Sequence, residues 1–424
     1  MKKLIVFTAA ALLLLSVFGG CSKLVEDYKA DQSYKASRSQ MLDEHKSKFQ
    51  GRGYTSLKTA EEQDAYASID IAANEDVSVT FDIPGGKVFE NFNDILEFYK
   101  NDHPEVFWIK DDVAYTYIDR GATVSIELAF KTRGDELELQ KANLDKAVKD
   151  IISKAPVNGT EYEKELYIND WLVDNCEYDE DAVAIHKEKK RILANEQDAY
   201  GALVERKAVC EGYARAFQLL CTHLNVDCTI IEGYAHENTD DGRIARTAHA
   251  WNCVQLDGAW YHVDTTWNDN VDEAFKNVAS RRYYYLNLTA REIERDHEIS
   301  PLYGDTESSA QKSDYRNHFI PLCNTRHYNY FRMNCPTLTS IGKSSAIVNA
   351  LTDAAKKKMT YFDFVVVPEL DFNEIKTKIS EGEGFKWIQE SNKRNDNNHQ
   401  LNKKCSLYAF EERGLITFLL YYEG

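Results

Sequence analysis

Ala208-Val209-Cys210-Glu211-Gly212-Tyr213-Ala214 is the stretch on which the fold of this chain turns. After the cysteine, Tyr213, Phe217, Leu220 and Leu224 recur at helical spacing, which predicts a helix with Cys210 in its first turn. A helix start offers unpaired N–H groups and the positive end of the peptide dipoles, and both favour a thiolate. Arg206 and Lys207 add positive charge just upstream, while Gly212 and Ala214 keep the helix slim where another element can approach. On its own such a cysteine is by default a small buried apolar residue. What lifts it above that default lies downstream.

His249–Leu256 and Ala259–Thr266 are strand-like runs separated by Asp257-Gly258, a strong signal for a type I′ hairpin turn. A two-residue loop pairs Leu256 with Ala259, so His249 should face Thr266 and Trp251 should face Asp264. Strand alternation then puts His249, Trp251, Asp264 and Thr266 on one face, with His249 and Asp264 as diagonal neighbours. Thiol, imidazole and carboxylate form the set a nucleophilic cysteine needs: a base to take its proton and a third group to orient the base. Cys253, Gln255, Trp260 and His262 share the face. His262 is the rival base, but it lies nearer the turn and lacks a carboxylate expected beside it. Trp251, Trp260 and Trp267 read as packing residues before substrate contacts, with Trp251 kept as a substrate candidate.

Tyr200-Gly201-Ala202-Leu203 and Val209 to Phe217 together resemble the cysteine block of the transglutaminase-like superfamily. His249-Ala250-Trp251-Asn252 resembles its histidine block, and Trp260 to Trp267 its aspartate block, in the family's order. Tyr283 to Asn287 and Asp296-His297 resemble a tail seen in bacterial members. The resemblance implies an α+β, papain-like core, with a cysteine helix packed on an antiparallel sheet that carries the histidine and aspartate. It implies that Cys210 attacks an amide or acyl carbonyl, that His249 is base and then acid, and that Asp264 orients His249. The Cys210 backbone N–H would belong to an oxyanion hole. Tyr178 and Gln197, both upstream of the cysteine helix, are candidates for its unassigned second donor.

The same triad serves hydrolysis and transfer. Water on the thioester gives a cysteine protease or amidase; an amine gives glutamine–lysine cross-linking. Hydrolysis of a protein or peptide is the favoured expectation, because excluding water needs a dedicated tunnel. A non-catalytic binding or scaffolding module is the third reading.

The chain has 424 residues, enough for more than one domain, and a formal charge of −18, which argues against a nucleic-acid groove. Pattern divides it into an N-terminal α+β region (40–155), the core (156–305) and a C-terminal α+β domain (306–424). Thr160 with Glu163 is a capping-box pattern opening the core. Nine cysteines include no Cys-x-x-Cys pair, and Asp240-Asp241-Gly242 lacks calcium-loop spacing, so no metal or cofactor is assigned. Cys323 with Cys335 is the best disulfide guess. At the N-terminus, Met1-Lys2-Lys3 and the apolar Leu4–Phe18 read as a signal peptide over 1–20. Phe18-Gly19-Gly20-Cys21 resembles the lipobox of bacterial lipoproteins, which implies lipid on Cys21, a tether over 21–39 and a place in the bacterial cell envelope.

Overall fold

The structure is a computed structural model that describes residues 39–74, 79–189, 195–238, 244–269, 278–299, 320–342 and 344–422. The expected signal peptide, Cys21 and nearly all of the tether lie outside the described residues, as does Asp240-Asp241-Gly242. Among the described residues no helix is long and apolar enough to cross a membrane. The chain forms two compact units. One holds the described residues up to Tyr99 together with Ile109–Ala129; the other holds Lys100–Trp108 and everything from Phe130 onward.

In the first unit a three-stranded sheet takes the order Thr80–Pro84, Thr123–Phe130, Ile109–Ile118. Ile109–Ile118 and Thr123–Phe130 are joined through Asp119-Arg120-Gly121, where all three residues have positive φ. Phe81, Ile83, Val124 and Ile126 alternate inward, as a half-buried sheet requires. The helix Ala60–Asn74 buries Ala65, Tyr66, Ile69 and Ala72 within the unit.

The second unit begins with the helix Gly134–Ile152, whose Leu137, Leu144, Val148 and Ile151 are buried along one side. The next helix, Glu161–Asn175, starts where the capping box predicts. The Thr160 side chain accepts from the Glu163 N–H, and the Glu163 carboxylate accepts from the Thr160 N–H. The cysteine helix, Cys210–His223, follows with Tyr213, Ala216, Phe217 and Leu220 buried. It lies on a four-stranded antiparallel sheet through Ala214, Ile230 and Ala250, small or slender residues that let helix and sheet close up.

That sheet runs in the order Ala259–Val263 (the aspartate strand), Ile244–Leu256 (the histidine strand), Cys228–Asn238, His297–Ile299. Asp257 and Gly258 both have positive φ, as the type I′ turn demands. The pairing is Leu256 with Ala259, Cys253 with His262 and Asn252 with Val263, the register read from the turn. One expectation fails. The second run is a strand only to Val263, and Thr265–Asp269 is a short helix. Asp264 switches the backbone over: its Oδ1 accepts the Trp267 N–H at 3.1 Å and its carbonyl accepts from Asn268. Thr266 therefore does not face His249 along a strand.

Within the same unit the C-terminal residues form a second four-stranded sheet, ordered Thr337–Leu338, Tyr361–Val366, Leu415–Leu419, Ser406–Phe410. Helices Ser345–Lys356 and Gly384–Asn392 cover it over a core that includes Phe364, Trp387 and Phe418.

Candidate active site

Local sequence and sheet register bring the three expected residues together. Cys210 is the first residue of its helix, and Val209 before it is extended. The opening N–H groups of a helix have no partner inside it, so they point out beside the sulfur. Gly212 is required here by space. A Cβ at that position would lie 2.6 Å from the Glu196 carbonyl oxygen and 2.8 Å from the Ala208 Cβ. The turn at 195–198 is thereby held against the helix start, and the Val209 N–H donates to the Glu196 carbonyl at 2.8 Å.

His249 stands on the histidine strand with its Nε2 2.7 Å from Asp264 Oδ2, which leaves Nδ1 as the ring nitrogen not committed to that carboxylate. Burial pushes the His249 imidazole down, but Asp264 and then Cys210 outweigh it and raise its pKa to about 10. Burial works against the Asp264 carboxylate too, yet His249 and His297 hold it well below the usual carboxylate range. An imidazolium between a buried carboxylate and a sulfur is the arrangement that stabilises a thiolate. The tie between helix and strand is Asn252, whose Nδ2 donates to the Ala214 carbonyl at 3.0 Å.

The charges upstream of Cys210 do not act as expected. Lys207 is 3.0 Å from Asp179 and 3.3 Å from Asp181, and Arg206 lies 4.2 Å over the Trp171 ring. Glu211, next to the cysteine, is paired with Arg215 at 2.8 Å. With those charges paired elsewhere, the helix start remains beside the sulfur.

Tyr178 pairs with Ala208 on a two-residue parallel bridge, and the neighbouring Asp179 N–H donates to the Ala208 carbonyl at 3.0 Å. Gln197 sits half-buried in the turn at 195–198. Both candidates thus stand on segments whose backbone is bonded next to the cysteine, 178–179 to Ala208 and the 195–198 turn to Val209. Trp251 does not. It is 1% exposed, stacks on His249 with ring centroids 6.0 Å apart, and donates its indole N–H to His262 Nδ1 at 3.1 Å. It supports the histidine from inside the core and has no surface for substrate.

His262, the rival base, is fully buried beside Cys253, with its Nδ1 3.1 Å from that sulfur. Cys323 lies 3.7 Å from Cys253, too far for an S–S bond, and Cys335 sits in a different cluster with Tyr330 and Phe410. The Cys323–Cys335 disulfide is therefore absent. Cys253, His262 and Cys323 bring ligand-type atoms within 4.8 Å of one another, as do His249, Asp264 and His297. In the first set the His262 Nδ1 lone pair already receives the Trp251 indole. In the second, Asp264 Oδ2 accepts from both imidazoles. Each set thus contains hydrogen bonds among its own residues or with a neighbour.

His297 is the residue that sequence reasoning passed over. Its Nε2 lies 3.0 Å from Asp264 Oδ2 and its Nδ1 2.7 Å from Asp296 Oδ1. The signal was in view, since Asp296-His297 belongs to the tail that resembles bacterial members, but no role attached to it.

The fold is α+β and transglutaminase-like: residues 149–265 match the family model for the transglutaminase-like superfamily. The chain thus carries a domain of that superfamily, and the matched segment holds Cys210, His249 and Asp264. It is similar to human kyphoscoliosis peptidase, with 30% identity over 200 residues, covering 44% of this chain and 28% of the human protein. The mouse kyphoscoliosis peptidase is 29% identical over 163 residues, 37% of this chain and 23% of the mouse protein. The chain therefore spans less than a third of the length of these curated relatives. A crystal structure of a TGase is similar at 16% identity, covering 37% of this chain and 44% of that one, with a TM-score of 0.26.

Proposed function

We propose that this chain is a thiol enzyme that hydrolyses peptide or amide bonds of protein substrates through Cys210, His249 and Asp264. The observation that supports the reading is the placement of His249, whose imidazole is raised by Asp264 and by Cys210 and whose Nε2 lies 2.7 Å from a fully buried Asp264. In this reading the Cys210 thiolate adds to the scissile carbonyl, and the backbone N–H at the helix start donates a hydrogen bond to the oxygen on which negative charge develops. His249 then protonates the leaving amine, which departs and leaves a thioester on Cys210. Water attacks that thioester, His249 takes its proton, and collapse frees the acid and returns the thiolate. Asp264 holds the ring in place and balances its charge throughout. The leader read in residues 1–20, with lipid on Cys21, would hold this chemistry at the bacterial cell envelope.

The test is incubation of the protein with peptide libraries, with and without a primary-amine donor, scored by mass spectrometry. Cleavage or deamidation that is lost in Cys210→Ala supports the proposal. Amine incorporation in preference to water would assign transfer instead, and equal product from Cys210→Ala would remove the nucleophile.

A further inference from the structure

Asp264 is shared. Its Oδ2 faces His249 Nε2 at 2.7 Å and His297 Nε2 at 3.0 Å, and neither Asp264 nor His297 is more than 2% exposed. Behind His297 the chain of contacts continues. Its Nδ1 meets Asp296 Oδ1 at 2.7 Å, and Asp296 Oδ2 accepts from the Tyr285 hydroxyl at 2.8 Å. A histidine with a carboxylate on each ring nitrogen must donate from both, so the ring of His297 carries the extra proton and a positive charge.

The sheet makes room for this. His297 pairs with Ala235, and Gly233 on the same strand pairs with His249. Residues opposed in register share a face, so only a methyl group and a bare backbone stand between the two imidazoles. Their ring centroids come within 5.2 Å. Trp267, Trp251 and Tyr285 close around His297 at 4.6, 5.0 and 5.6 Å, which excludes water from the contact. Among the described residues, the charged or titratable groups that face His297 are Asp264 from the end of the aspartate strand, His249 from the histidine strand, Asp296 beside it and Tyr285. Arg413 lies 5.7 Å over the far ring of Tyr285.

We propose that His297 is a positioning residue for the triad: it fixes Asp264 Oδ2 against His249 and limits how tightly that carboxylate holds the His249 imidazolium. The role rests on the thiol-enzyme reading given above. Two cations on one carboxylate oxygen each weaken the other's hold, first by sharing the acceptor and second by repulsion across a dry 5.2 Å gap. An aspartate with a single partner would grip His249 so firmly that the ring surrenders its proton to the leaving amine with difficulty. His297 tempers that grip while keeping the carboxylate in place.

The test is an NMR titration of isotope-labelled histidines in the whole chain, wild type against His297→Gln. In the wild type both ring nitrogens of His297 should carry protons at about pH 8. In His297→Gln an amide N–H can still reach Asp264 but the charge is gone, so the His249 midpoint should rise by about one unit. A purely structural His297 would not move that midpoint. A neutral His297 in the wild type, or an unmoved His249 in the variant, overturns the proposal; the first readout stands even if the variant does not fold. Neither depends on turnover, so a wild type that cleaves no peptide would refute the proposed function without touching these two results.

Discussion

His249 Nε2 lies 2.7 Å from Asp264 Oδ2, and this contact is set by a turn at the far end of the hairpin. The positive φ of Asp257 and Gly258 fixes which residues of the two strands oppose each other, and the register carries His249 and the end of the aspartate strand to the same place. Because Nε2 is committed to the carboxylate, Nδ1 is the nitrogen presented to Cys210. The tautomer and direction of the base are thus decided by the backbone.

The pair makes stability depend on pH in a defined direction. The folded-state value of His249, about 10, is above its ordinary 6.5, so its contribution is complete below about 6.5 and is lost as pH rises through about 10. Asp264 is depressed from 3.8, so its contribution is present above that value and is lost as pH falls through the lowered one. Asp264→Asn should therefore lower Tm most at about pH 6, with the gap to wild type narrowing above about pH 10. Calorimetry across that range decides it, and a constant gap would contradict the pairing.

Asn252 spans the space between the histidine strand and the cysteine helix. Asn252→Leu should cost about 1–3 kcal/mol through the Ala214 carbonyl left without its side-chain donor. It should also lower kcat more than it raises KM, because the Cys210–His249 distance is no longer held. Denaturant unfolding and steady-state kinetics measure the two effects separately.

Gly212→Ala places a methyl group within 2.6 Å of the Glu196 carbonyl oxygen. Backbone on that side cannot yield cheaply, so the variant should lose about 1–3 kcal/mol and displace the turn at 195–198. Ala214→Gly, two residues further along the helix, should lose only helix propensity and one buried methyl and leave the turn at 195–198 in place. Equal stability of Gly212→Ala and wild type would mean that the turn does not abut the helix.

Glu165 is fully buried with Asn287 Nδ2 at 2.8 Å, and burial pushes its carboxyl up to about 8. A carboxyl with a raised folded-state value stabilises below its ordinary 4.5 and loses that contribution as pH rises through about 8. Glu165→Gln keeps the shape and removes the titration. Its Tm should gain on wild type between about pH 5 and 9; parallel curves would show that the carboxyl is not buried.

Much of this site was legible because its determinants are short-range. A type I′ turn admits few residue pairs, and Asp257-Gly258 fixes an entire register. The Thr160–Glu163 cap closes over three residues and forms as read. The helical spacing after Cys210 is likewise local. What escaped the sequence depends, with one local exception, on distant parts of the chain. Asp264 ends its strand because its side chain captures the Trp267 N–H, a choice that strand propensity does not reveal. Cys323 meets Cys253 rather than Cys335 because residues far apart in sequence share one core cluster. Lys207 and Arg206 look like local help for the thiolate until Asp179, Asp181 and Trp171 arrive from elsewhere to occupy them. His297 reaches Asp264 only because Gly233 and Ala235 leave the strand between them bare.

The proposed nucleophilicity of Cys210 rests on His249 and the helix start. Its most direct measurement is the rate of iodoacetamide alkylation at each cysteine, resolved by mass spectrometry at neutral pH. Cys228 and Cys405, partly exposed like Cys210, serve as internal references. Cys210 should react about tenfold or more faster than either, and His249→Gln should abolish the preference. A Cys210 no faster than its references, or a preference that survives loss of His249, would contradict the proposal.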